Sequence, residues 1–105
     1  MEILVVCGAG ASSTFVALRL RRAAADRGVA LTARAGSLEL LESTVAGTDL
    51  VLVGPHLADR LEGIRALVAR VDHAVGVALL PESAVASRDD DLVLQTALDA
   101  AGVGS

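Results

Sequence analysis

The chain contains a single cysteine, Cys7, and it stands at the mouth of the run "CGAGASST", from Cys7 to Thr14. An apolar run, Ile3 to Val6, precedes it and a helical pattern follows. A small-residue loop between a strand and a helix makes an anion cradle, because backbone N–H groups and the positive end of the helix dipole converge there. Gly8 and Gly10 supply the backbone freedom for a close approach, and Ala9 and Ala11 keep the loop small. Ser12, Ser13 and Thr14 add hydroxyl donors. The same field favours thiolate over thiol at the start of the loop. A thiolate facing an anion cradle suits attack on phosphorus, with the phosphoryl group held as a thiophosphate and its oxygens stabilised by fixed donors. The plain alternative is that Cys7 is buried filler, the usual fate of a lone cytosolic cysteine.

Three functional classes compete for this loop. A cysteine phosphatase of the small parallel-sheet type has an arginine six residues after the cysteine, to grip phosphate bidentately. Here that residue is Ser13, and the first arginine is Arg19. Asp49 and Asp59 are the candidates for its general acid. A dinucleotide site would use Gly8-x-Gly10-x-x-Ser13, which lacks the third glycine, and no acidic residue closes the second strand. A phosphoryl relay needs a nucleophile and a cradle but no tight phosphate grip. A non-catalytic phosphate-binding or regulatory module would keep the cradle without the chemistry.

The elements around the loop alternate. Ile3 to Val6 reads as a strand buried on both faces, since it is continuously apolar. Ser12 to Arg27 reads as a helix capped by Ser12 or Ser13, with Val16, Leu20 and Ala23 or Ala24 inward and Arg19, Arg21, Arg22 and Arg27 on or near its wet side. Gly28 terminates it. Val29 to Arg34 alternates as a second, edge-like strand. A short helix follows from Gly36, with Ser37 as cap and Leu38, Leu41 and Val45 inward. Asp49 to Val53 is the third strand, broken by Gly54 and Pro55. Leu57 to Val71 is an amphipathic helix with Leu57, Leu61, Ile64, Leu67 and Val68 in one stripe. Val75 to Leu80 is the fourth strand, Ser87 to Asp91 a polar turn, and Leu92 to Ala101 a closing helix. This order predicts an α/β domain, residues 1–105, with a four-stranded parallel open sheet of order 2-1-3-4 and helices on both faces. Ligands in such sheets sit beyond the carboxyl ends of the strands. The Cys7–Thr14 loop and the Gly54–His56 turn both fall there.

Other polar residues carry weaker expectations. His56 is a surface or loop-packing residue, or else a phosphate neighbour. His73 belongs to the loop before the fourth strand, with no role. Asp89, Asp90 and Asp91 are helix-dipole partners rather than a metal site. Phe15, the only aromatic, is either core or part of a docking surface around Cys7.

Composition bounds the rest. The chain has 105 residues, 53 % of them hydrophobic and 1 % aromatic, so its core is aliphatic. A net charge of −4 argues against a nucleic-acid partner. One cysteine excludes an internal disulfide and a zinc site built on paired cysteines; no metal or cofactor is expected. The apolar runs are strand-sized, well short of the roughly 20 residues of a spanning helix, and Glu2 stands where a signal peptide is basic. The expectation is a cytoplasmic protein without membrane insertion.

"ILVVCGAGASSTFVALRLR", together with "DLVLVGPHLADRLEGIRALV", resembles the IIB component of the bacterial sugar phosphotransferase system (PTS), lactose/cellobiose type. The resemblance covers Ile3 to about Ala101, and the cysteine loop is its specific part. It implies a fold similar to small cysteine phosphatases and an enzyme role as the IIB phosphotransferase. A phosphoryl group would pass from a phosphohistidine of the partner IIA to Cys7, cradled by Gly8 to Thr14. It would then pass to a sugar held by the membrane transporter IIC. The sugar would be a beta-glucoside or a disaccharide such as cellobiose, chitobiose or lactose.

Overall fold

The computed structural model describes residues 1–6, 10–39, 41–83 and 90–100, and at 10–13 the backbone alone. Strand β1, Glu2–Val6, lies between β2, Thr32–Gly36, and β3, Leu50–Val53; β4, Gly76–Leu79, completes the sheet on the far side of β3. All pairs are parallel, and the order is the expected 2-1-3-4. Side chains alternate across a sheet. Ile3, Val5, Leu50 and Leu52 therefore pack with helices α1, Gly10–Asp26, and α4, Asp90–Ala100. Leu4, Val6, Val51 and Val53 pack with α2, Leu41–Thr44, and α3, Leu61–Val71. Both central strands are buried on both faces, which is why they read as unbroken apolar runs.

Several boundaries differ from the sequence-based ones. Helix α1 closes with Gly28 at φ +68°, and the N–H groups of Gly28 and Val29 bond to the carbonyls of Ala25 and Ala24. This is the Schellman arrangement. It uses the stretch that the alternating pattern assigns to a strand, so β2 begins at Thr32 rather than Val29. The expected helix from Gly36 contracts to the single turn Leu41–Thr44, although Leu41 and Val45 are buried and Leu38 partly so, as the pattern requires. Ahead of α3, Pro55–Arg60 is a 3₁₀ helix, with a kink at Leu57 (φ −105°, ψ 17°). The predicted stripe holds across it: Leu57, Ile64 and Val68 are buried, and Leu61 and Leu67 partly so.

Arg19 is the main correction. It is 4 % exposed rather than wet. Its Nε donates to Asp90 Oδ1 at 2.8 Å, and Arg22 Nη2 lies 3.5 Å from Asp90 Oδ2. Asp90 thus serves as the first-turn acid of α4, where a negative charge complements the helix dipole, and also as the anchor of α4 to α1. The closing helix accordingly starts at Asp90, two residues before Leu92. Of the predicted polar turn, residues 87–89 lie outside the described residues.

Truncating the charge should expose this dependence. Breaking a buried pair leaves an uncompensated charge, and Asp90 is about one-third exposed, so Arg19→Met should cost about 2 kcal/mol in urea unfolding. A loss below about 0.5 kcal/mol, the range of an ordinary surface change, would show that the pair does not anchor α4.

Candidate functional site

Parallel register sets the site. Val6 pairs with Gly36 on one side and Val53 on the other, and Val53 pairs with Leu79. The four strands therefore end in one row. The row is locked where the chain leaves the sheet: Gly54 N–H donates to the Val6 carbonyl at 2.8 Å, and Leu80 N–H to the Val53 carbonyl at 2.7 Å. Gly54 is buried and extended (φ −64°, ψ 150°), and its own carbonyl accepts from Leu57 N–H at 3.0 Å. Pro55 opens the 3₁₀ turn, where its missing N–H is no loss. The Gly54–Pro55 turn is thus bonded to the residue that precedes Cys7 in the chain.

Helix α1 begins at Gly10, earlier than the Ser12 or Ser13 cap predicts. Ser and Thr cost a helix interior only about half a kcal/mol relative to Ala. Burial of Val16, Ala17, Leu20, Ala23 and Ala24 against β1 and β2 holds the helix on the sheet. The backbone at Gly10 and Ala11, ahead of the predicted helix start at Ser12, is therefore helical as well. Only positions 7–9 separate β1 from α1. The first four N–H groups of any α-helix lack a partner within it. The first turn of α1 carries no acidic side chain to compete for them. This turn can hold an anion at the carboxyl end of β1. Of the predicted site residues, Cys7, Gly8 and Ala9 lie outside the described residues. Gly10, Ala11, Ser12, Ser13 and Thr14 share the opening turns of α1, and the Thr14 side chain is exposed.

The remaining candidates sort by which end of the sheet they occupy. His56 and Asp59 are exposed on the 3₁₀ turn after β3, at the same end as the start of α1. Asp49 lies at the opposite end, where its Oδ2 accepts the Glu2 N–H at 2.8 Å, so it is no general acid for this site. His73 is exposed in the turn before β4, also at that far end. Arg19, the first arginine after Cys7, is committed to Asp90.

Two features escape a pattern reading. Phe15 is 62 % exposed and Leu18 45 %, so the only aromatic is not core. Their helical phase carries the signal, because neither falls on the stripe of Val16, Leu20 and Ala23. The second is a trough between α2 and α3, lined in part by Asp59 and Arg60.

The open parallel sheet of order 2-1-3-4 thus presents an acid-free helix amino end at the exit of its central strand, a place that can hold an anion. The family model of the PTS system, lactose/cellobiose-specific IIB subunit, matches residues 2–82. The chain belongs to that family. It is similar to the lactose-specific IIB component domain of the phosphoenolpyruvate:carbohydrate phosphotransferase system from Streptococcus pneumoniae, with a TM-score of 0.83 and 16 % identity over 95 % of this chain and 96 % of that one. No curated protein matches. Family membership gives the chain a phosphotransferase role in PTS sugar phosphorylation, alongside other components of that system. Among the described residues, no helix is long and apolar enough to cross a membrane.

The exposure of Phe15 has a direct consequence. Phe15→Ser should leave stability within about 0.5 kcal/mol of the parent. Leu20→Ala, one turn further along the same helix but fully buried, should lose about 3 kcal/mol. Thermal unfolding of the two variants checks this; a large loss at Phe15 would return it to the core.

Proposed function

We propose that the chain, as a single domain of residues 1–105, is a cytoplasmic phosphoryl carrier that uses Cys7. The Cys7 thiolate attacks the phosphorus of a phosphohistidine on the IIA partner; the S–P bond forms as the P–N bond breaks, and the imidazole leaves. A hydroxyl of the sugar held by IIC then attacks the same phosphorus. The O–P bond forms, the S–P bond breaks, and the thiolate returns as the hydroxyl proton departs to solvent or a base. The sugar is a beta-glucoside or a disaccharide such as cellobiose, chitobiose or lactose, a choice made by the transporter. Gly8 to Thr14 hold the phosphoryl oxygens, with donors fixed before the reaction.

The observation that carries this reading is the amino end of α1. It begins four residues past Val6, at the same end of the sheet as the hydrogen-bonded Gly54 turn, with no acid in its first turn. A hydrolase reading lacks its cation: Arg19 is buried against Asp90, and no arginine precedes it in the chain after Cys7. A cradle without a bidentate arginine holds a phosphoryl group in transit rather than gripping it for hydrolysis.

Incubation with phosphoenolpyruvate, the general PTS proteins and a cognate IIA should raise the intact mass by one phosphoryl group. Cys7→Ser should show no such gain. Absence of any gain with several IIA proteins would leave a phosphate-binding module instead.

A second variant separates stability from chemistry. Ala11→Glu places a carboxylate in the first turn of α1, where the dipole favours it by about 0.3–1 kcal/mol. The same charge opposes an incoming phosphoryl group. Stability should hold or rise while the rate of phosphoryl uptake falls about tenfold, equivalent to roughly 1.4 kcal/mol of barrier. Unchanged uptake would place the phosphoryl group elsewhere.

A further inference from the structure

A phosphoryl group carries about 1.5 to 2 negative charges at neutral pH, and the amino end of one helix supplies only about half a positive charge. The chain has few cations to make up the rest: no lysine, nine arginines and two histidines. Most of these are engaged or distant. Arg19 and Arg22 meet Asp90, Arg34 meets Glu2, and Arg70 meets Glu42. Arg21 lies about three turns down α1, Arg27 just past its far end, and Arg65 within α3. His73 stands in the turn before β4, at the opposite end of the sheet, and Arg88 lies outside the described residues. Among the described residues, His56 and Arg60 are left on the 3₁₀ turn that leaves β3. Arg60 lines the trough between α2 and α3, on the sheet face opposite α1. His56 does not.

Backbone hydrogen bonds hold His56 close to the exit of β1. Gly54 N–H is bonded to the carbonyl of Val6, the residue whose next peptide unit leads into Cys7. The Gly54 carbonyl in turn accepts from Leu57 N–H, which curls the chain back and keeps Gly54 and Leu57 within about 7 Å of each other. His56 sits inside that curl, two residues past Gly54, and position 7 is one residue past Val6. Consecutive Cα atoms are about 3.8 Å apart, so the imidazole is within side-chain reach of a phosphoryl group carried at position 7. Its neighbours leave it free to turn there: Leu57 is buried in the core, whereas His56 is exposed and has no hydrogen-bond partner among the described residues.

We propose that His56 is a phosphoryl-binding residue, whose imidazole N–H donates to an oxygen of the phosphoryl group on Cys7. This rests on the carrier reading above. An imidazole has an N–H donor whether neutral or charged, so the contact survives in either form. It is a single-point contact rather than the bidentate fork of an arginine. A carrier gains a stabilised phosphoryl group without the grip of a hydrolase.

The two histidines stand at opposite ends of the sheet, so His73 is a control within the same molecule. The chain, labelled with ¹³C at histidine Cε1, is phosphorylated with phosphoenolpyruvate, the general PTS proteins and a cognate IIA. The His56 resonance, assigned with His73→Gln, should move on phosphorylation while that of His73 stays in place. Intact mass then gives the equilibrium constant for transfer from phosphorylated IIA. His56→Ala should lower it about fivefold or more, the worth of one hydrogen bond to a charged group, with a parent-like melting temperature. His56→Gln, which keeps an N–H donor, should recover most of that loss, and His73→Ala should match the parent. An unmoved His56 resonance, or a parent-like constant in His56→Ala, overturns the role of His56 while the carrier reading stands. No phosphorylation of the parent chain overturns both.

Discussion

The N–H of Gly54 donates to the carbonyl of Val6, and the candidate site depends on that bond. It closes the parallel ladder of β1 and β3 at the last available position and fixes where the chain leaves each strand. From that row of strand ends, α1 returns along one face of the sheet and the 3₁₀ turn leads α3 along the other. The amino end of α1 and the His56–Arg60 surface stand at the same end of the sheet because the two strands that launch them are in register. Gly54 is buried at this junction, and its N–H and carbonyl are both taken.

The second constraint is electrostatic and sits away from the loop. α1 would be an ordinary amphipathic helix were it not for Arg19, whose guanidinium lies inside the protein. Asp90 meets it there and brings the first turn of α4 against α1. One carboxylate thereby completes a buried charge pair and complements a helix dipole. The cation nearest to Cys7 in sequence order is thus engaged in structure, which distinguishes this domain from hydrolases that keep an arginine on the phosphate.

How far the sequence could be read follows from the same physics. The two central strands announced themselves because both faces are buried, so every residue from Ile3 to Val6 is apolar. Gly28 announced the end of α1 because only a positive φ closes that turn comfortably. The strand order followed from alternation of elements. What stayed hidden depends on partners distant in sequence. Arg19 meets a residue 71 positions away, and nothing local marks it as buried. β2 slipped by three residues because the helix cap consumed Val29 and its N–H. The cradle was legible as a loop ahead of a helix at Ser12, yet Gly10 and Ala11 already fold as helix, since the apolar stripe of α1 outweighs the capping preference of Ser12 and Ser13.

The central claim is that phosphorus bonds to the sulfur of Cys7. The most direct measurement is a phosphorus–carbon correlation NMR spectrum of the phosphorylated chain, with ¹³C placed at cysteine Cβ. The account predicts a single phosphoryl resonance coupled through sulfur to the Cβ of Cys7, the only cysteine present. A phosphoryl resonance without that coupling, carried instead by the imidazole of His56 or His73, would contradict it.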